Sequence, residues 1–147
     1  MVFFDRQKAA RKREAIEQKY FPGHLWPADV YRRELERRNK PGLRVGHLGS
    51  GHDRTGIRSA LSRCLIIGLD LDWKSLKRLS PAPCAQANLE TIPIQDNSLD
   101  LLVSEFVFEH FENPLLVLRE CARILKPGGE IVFLTINRNS ICGAKAA

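Results

Sequence analysis

No apolar run in the chain approaches the ~20 residues that a membrane-spanning helix needs. The N-terminal Val2-Phe3-Phe4 patch meets charge at once and is too short for a signal segment, so a cytoplasmic location is expected. Cysteine is scarce. Cys64, Cys84, Cys121 and Cys142 stand far apart, which excludes a Cys-x-x-Cys redox pair and a zinc knuckle. They read as reduced, mostly buried thiols. His24, His47 and His52 have no metal-ligand spacing with carboxylates or cysteines, so no metal is assigned. Internal repeats and low-complexity tracts are absent as well.

What remains is a globular composition: 147 residues, 44% hydrophobic and 27% charged, enough for one domain with a sizeable core. The net charge of +6 is unevenly placed. Residues 1–40 hold eleven Lys/Arg against six Asp/Glu, whereas residues 41–147 hold twelve against eleven. The chain therefore divides into a basic helical arm, residues 1–42, and an α/β domain, residues 43–147. In the arm, Arg6 to Tyr20 and Ala28 to Asn39 read as helices, the second with Val30, Tyr31 and Leu35 facing inward. Such an arm can serve nucleic acid or acidic lipid. Without aromatic interleaving or a binding motif it reads instead as a solvated helical cap, with neither nucleic acid nor membrane as partner.

From Leu43 the pattern alternates between strand and helix. Strands are expected at Leu43–Leu48, Leu65–Asp70, Cys84–Asn88, Leu99–Ser104 and Glu130–Ile136. Helices are expected at Arg54–Arg63, Trp73–Leu79 and, capped by Asn113 with Pro114 first, up to Leu125. That last helix shows Leu118, Cys121, Ala122 and Leu125 at helical spacing, and Lys126-Pro127-Gly128-Gly129 reads as its closing turn. Alternation of this kind implies right-handed crossovers and a mostly parallel sheet covered on both faces.

The centre of the pattern is Val45-Gly46-His47-Leu48-Gly49-Ser50-Gly51-His52-Asp53, a short strand running into a glycine loop. Bare backbone at Gly49 and Gly51 lets a ligand approach the main chain closely. The next strand ends on Asp70, and a carboxylate ~20 residues beyond such a loop is placed to accept hydrogen bonds from a ribose. In parallel sheets ligands bind at the carboxyl ends of the strands, where Gly49–Gly51, Asp70, Asn88 and Ser104 should meet. His110 is the plausible general base beside the fourth strand, since an imidazole exchanges protons near neutral pH. A structural hydrogen bond within the Glu109-His110 turn is the alternative reading of the same residue.

A further ordered set of motifs runs along the chain. It comprises Asn88-Leu89-Glu90-Thr91-Ile92-Pro93-Ile94, Asp96-Asn97-Ser98-Leu99-Asp100-Leu101-Leu102-Val103, Val107-Phe108-Glu109-His110, and Arg119-Glu120-Cys121-Ala122-Arg123-Ile124-Leu125-Lys126-Pro127-Gly128-Gly129. With the glycine loop, this set resembles the class I S-adenosylmethionine-dependent methyltransferases, in the branch labelled type 11, over about Leu43 to Asn137. The resemblance implies a Rossmann-like three-layer sandwich with strand order 3-2-1-4-5, S-adenosylmethionine as cofactor and a small-molecule or lipid-type methyl acceptor. It implies that Gly49, Ser50 and Gly51 cradle the amino-acid portion and ribose edge, and that Asp70 holds the ribose hydroxyls. Leu71 would pack on the adenine, Asn88 would reach the adenine amino group through its amide oxygen, and Leu89 would offer its backbone N–H. Ser104 would face the methionine part.

Three departures from the family pattern stand out. His47 occupies the place of a carboxylate that usually helps hold the cofactor's ammonium. Asp53 replaces a third glycine, and its own carboxylate is available to serve that ammonium. The family continues into a further helix and an antiparallel strand pair, whereas this chain stops about ten residues after the fifth strand. An open fifth-strand edge is therefore expected, covered by a partner or a second copy, or the chain is a fragment of a longer enzyme. These departures also motivate a rival reading, a non-catalytic scaffold on a degenerate fold. A nicotinamide-dependent oxidoreductase fits less well, because bulky Arg54 follows where the dinucleotide fingerprint requires glycine.

Overall fold

The computed structural model describes residues 15–136 except Glu17, Leu25, His52, Arg54, Thr55 and Ser80. Most of the first predicted helix, residues 6–14, and Cys142 lie outside the described residues. Five strands form one all-parallel sheet: β1 (Arg44–Leu48), β2 (Leu65–Asp70), β3 (Cys84–Gln86), β4 (Leu99–Glu105) and β5 (Leu125–Leu134), in the order β3-β2-β1-β4-β5. The expected class and strand order are those found. Among the described residues β5 pairs only with β4, so its outer side is a sheet edge.

Helices α1 (Pro27–Arg37), α2 (Ile57–Ala60), α3 (Trp73–Leu76) and α4 (Pro114–Ile124) connect and cover the strands. Alternate side chains of β1 and β4 point to opposite faces, as strand geometry requires. Leu48 and Leu102 enter one core with Val117, Cys121 and Ile124 of α4. Val45, Leu101 and Val103 enter the other with Tyr31 and Leu35 of α1 and Ile57 of α2. Burying each such aliphatic side chain contributes roughly 1.5–3 kcal/mol.

The arm's second helix therefore lies on the sheet. Pro27 is its first residue, and the Asp29 carboxylate accepts the Trp26 amide at 3.3 Å. Tyr31 and Leu35 are buried, whereas Val30, expected inward, is exposed. Arg38 ties the end of α1 to β5 through Glu130, Nε to Oε2 at 2.7 Å.

The helix expected over Arg54–Arg63 spans only Ile57–Ala60, the one expected over Trp73–Leu79 tightens to a 3-10 turn after Leu76, and the third strand ends at Gln86; α4 and β5 differ as well. The buried positions of α4 are Val117, Cys121 and Ile124, whereas Leu118 and Ala122 are exposed. The segment Leu115-Leu116-Val117-Leu118 is apolar throughout, so spacing alone could not select its inward side. The Pro-Gly-Gly segment also lies within β5 rather than before it. Pairing jumps from Leu99↔Leu125 to Leu101↔Glu130, and the extra residues loop out as a bulge at Gly128, φ +79°. Cys64 and Cys84 are half-buried free thiols, and burial pushes the Cys121 thiol up to about 12. None of the described helices is long and apolar enough to cross a membrane.

Candidate functional site

The turn after β1 is drawn against the end of β2. The Ser50 amide donates to the Leu69 carbonyl at 3.0 Å, and the Gly51 amide donates to Asp70 Oδ2 at 2.7 Å. The other oxygen, Asp70 Oδ1, accepts the Asp72 amide at 2.8 Å. Two backbone bonds thus fix the carboxylate's direction, while each oxygen keeps a lone pair for a further donor. Gly49 has φ +62°, and a Cβ there would meet Val107 Cγ2 at 2.3 Å. Glycine is required at this position both by backbone conformation and by space.

Beside this turn, at the carboxyl ends of the strands, opens a cavity of about 350 Å³. It is lined by Gly49, Asp70, Leu71, Asn88, Leu89 and His110, all expected at the site, together with Ala87, Phe106, Val107 and Phe111. Asn88 Oδ1 accepts the Glu90 amide at 2.9 Å and retains a lone pair. His110 closes the 3-10 turn Phe108–His110, and the neighbouring Glu109 carboxylate accepts the Thr135 hydroxyl at 2.7 Å. Gly51 and the two serines, Ser50 and Ser104, are not on this lining. Both serines are buried with hydroxyls that lack a partner, and the Ser50 hydroxyl lies over Gly68 of β2.

Of the lining residues that carried no assignment, Phe106 bears the clearest structural sign. It directly follows β4, has φ +53°, and is 45% exposed. Left-handed backbone in a bulky residue is uncommon and clusters at ligand sites. A strand-to-loop junction offers no periodicity from which this could be read.

His47 is 3% exposed, and its Nδ1 has no hydrogen-bond partner. Burial pushes its pKa down to about 4 against the opposing pull of Asp53, so the imidazole is neutral at pH 7. Asp53 turns its carboxylate toward the start of α2. Its Oδ1 accepts the Ile57 amide at 2.9 Å and its Oδ2 the Arg58 amide at 3.2 Å, so it caps α2.

A larger cavity of about 500 Å³ lies at the amino ends of the strands, lined by Leu61, Leu65, Ile66, Pro83 and Leu99 among others. Arg58 also borders it; its two terminal nitrogens donate to the Ile66 and Pro83 carbonyls, while its buried Nε has no partner. The smaller cavity has the converging polar groups and the carboxyl-end location that parallel sheets use for ligands. Among the described residues, no group of three or more His, Cys, Asp or Glu is placed to hold a metal ion.

A parallel sheet of this order, with a glycine turn tied to an acid at its carboxyl edge, defines a Rossmann-like nucleoside-binding domain of class I. The family model for the methyltransferase domain, type 11, matches residues 43–133. The chain belongs to that family, whose cofactor is S-adenosylmethionine. It is 32% identical over 110 residues to a ubiquinone biosynthesis O-methyltransferase of Paracidovorax citrulli, covering 67% of this chain and 46% of that protein. It is 27% identical over 92 residues to a malonyl-[acyl-carrier protein] O-methyltransferase of Coxiella burnetii, covering 63% of this chain and 32% of that one. The chain thus spans less than half the length of these curated relatives. Among solved structures, it resembles an S-adenosylmethionine-dependent methyltransferase from Mesorhizobium loti, with TM-score 0.59 and 28% identity, over 69% of this chain and 50% of that chain. A methyltransferase from Aquifex aeolicus shares the fold at TM-score 0.64 and 17% identity, over 93% and 76% of the two chains.

Proposed function

We propose that this chain is the S-adenosylmethionine-binding core of a methyltransferase that acts on an oxygen of a small, largely apolar acceptor. The observation that carries the reading is the convergence of Gly49, Asp70, Leu71, Asn88, Leu89 and His110 on one cavity at the carboxyl edge. The residues present suit a nucleoside: a fixed acid with free lone pairs, apolar walls and an amide oxygen. When bound, the cofactor supplies a methyl already activated on a sulfonium. The protein's part is then positioning and exclusion of water. In this proposal Asp70 accepts from the ribose hydroxyls, Leu71 and Leu89 flank the base, and Asn88 accepts from the base's amino group. Gly49, Ser50 and Gly51 supply the backbone of the turn, and Ser104 lies behind it at the end of β4.

His110 takes the proton of the acceptor hydroxyl, a role supported by its position on the cavity wall. An apolar acceptor is supported by Phe106, Val107 and Phe111 on the same wall, and an oxygen acceptor by the names of the two O-methyltransferase relatives. The proposal includes a covering element on the outer edge of β5, either a second copy or a partner. Calorimetry with S-adenosylhomocysteine tests the core of the reading. Saturable heat at micromolar to millimolar ligand is expected, and no heat from folded protein overturns it.

The capping role of Asp53 favours one second reading, a scaffold that has lost the cofactor. Under that reading the native chain binds no S-adenosylhomocysteine, and His47→Asp creates binding.

A further inference from the structure

The third strand starts late. β2 begins at Leu65, but its pairing with β3 begins only at Gly68, opposite Cys84. The segment that leads into β3 carries Pro81 and Pro83, which have no amide to give to a ladder. The amino half of β2 therefore has an open edge. The Leu65 amide donates to the Leu43 carbonyl on the β1 side, and the Gly68 amide donates to the Pro83 carbonyl on the other. Alternation then puts the Ile66 amide on the unpaired side.

The cavity of about 500 Å³ at the amino edge lies along this open edge. Leu61, Leu65, Ile67 and Leu99 make its apolar wall, Arg44 and Arg58 carry its charge, and no acid lines it. Among the described residues neither arginine forms an ion pair. Arg58 is held in place by the Ile66 and Pro83 carbonyls at 3.3 and 2.8 Å, which leaves its charge uncompensated. Arg44 opens β1 and is exposed. Asp100 accepts the Arg44 amide at 2.9 Å, and its other oxygen takes Lys126 Nζ at 2.6 Å. Leu65 is 63% exposed, so an apolar chain laid on it removes surface from water.

An apolar wall with two uncompensated cations and an open backbone amide selects an apolar body with one negative end. A guanidinium matches a carboxylate with two parallel hydrogen bonds. A neutral chain would leave the cations unanswered, and a cationic one would be repelled by them. We propose that the amino-edge cavity is a second binding site, for a medium-chain fatty acid. Its tail lies on Leu61, Leu65, Ile67 and Leu99, and its carboxylate is drawn to Arg44 and Arg58. The site is built from the opposite end of the strands and shares no residue with the cavity at the carboxyl edge, so it stands apart from the nucleoside reading.

Calorimetry on the full chain with octanoate tests the assignment, with octan-1-ol and octylammonium as controls. Octanoate is expected to bind saturably at roughly micromolar to millimolar concentration, octan-1-ol more weakly, and octylammonium least. Leu65→Glu puts an acid on the wall at an exposed position and is expected to weaken octanoate by roughly tenfold or more. Arg44→Gln is expected to weaken octanoate by a few-fold and to leave octan-1-ol unchanged. Thermal midpoints within a few degrees of the native chain verify that the variants fold, and Arg44→Gln carries the comparison if Leu65→Glu does not fold. No saturable heat with octanoate overturns the assignment, as does equal affinity for octylammonium. Octanoate affinity unchanged in the folded variants also overturns it, because the anion then sits elsewhere. S-Adenosylhomocysteine affinity is expected to be the same in the native chain and both variants, so failure of this assignment leaves the functional reading standing.

Discussion

Asp70 and Gly51, 19 residues apart, are joined by a 2.7 Å bond from the Gly51 amide to the Asp70 carboxylate. The glycine turn and the acid are therefore one mechanical unit. Asp70→Ala removes the acceptor for two amides and should cost about 1–3 kcal/mol of stability, read by urea unfolding. Asp70→Asn keeps one acceptor oxygen and should fold nearly as well. It should lose roughly tenfold or more in S-adenosylhomocysteine affinity, because hydrogen bonds to a charged acceptor are the stronger ones.

Gly49 and Val107 are packed too closely for any side chain on the turn. Gly49→Ala introduces a Cβ 2.3 Å from Val107 Cγ2 and holds alanine at φ +62°. The left-handed backbone alone costs an alanine about 1–2 kcal/mol, and the clash adds to it. Val107→Ala in the same chain should recover only the clash. A double-mutant cycle by denaturant unfolding measures that coupling, and additive effects would contradict the close packing.

The parts of this arrangement that were legible in the sequence are those with local chemistry. Apolar runs in β2 and β4, Asn113-Pro114 before α4, and the Gly49-x-Gly51 loop with Asp70 following all carry their own signal, and the strand order follows the resemblance they complete. What was not legible depends on contacts distant in sequence. Four consecutive apolar residues in α4 leave its phase to tertiary packing, which selected Val117, Cys121 and Ile124. Asp53 could be read as a free acid, because only the folded turn shows that it points at the amides of α2. Arg58 and Pro83 lie 25 positions apart, and only the folding of β3 against β2 brings them together.

His47 makes stability pH-dependent. Its folded-state pKa of about 4 lies below the ordinary 6.5, so between these values the unfolded chain binds more protons than the folded one. The sign follows from linkage: the contribution is fully present above pH 6.5 and is lost as pH falls toward 4. Up to about 3 kcal/mol is at stake. Asp53, Asp70 and Arg58 also act on the imidazole, and the two acids oppose the effect of burial. Denaturant unfolding at steps between pH 7 and pH 4 should show this slope, and His47→Gln should flatten it. An unchanged slope in the variant would assign the acid sensitivity to other groups.

Phe106 is where stability and binding should separate. Its backbone sits at φ +53°, held by a 2.8 Å bond from its amide to the Leu134 carbonyl, while its ring is 45% exposed at the cavity. An L-residue in this region is strained by about 1–2 kcal/mol, which glycine relieves. Glycine also adds freedom to the unfolded chain, which offsets part of the gain. The net expectation for Phe106→Gly is a thermal midpoint at or slightly above the native value, despite the loss of an aromatic side chain. Ligand contact should move the other way. The ring lines the same wall as Val107 and Phe111, so its removal should weaken 5′-methylthioadenosine binding. A large drop in midpoint would mean that the ring serves the core. An unchanged midpoint with unchanged binding would leave the strained geometry without a function.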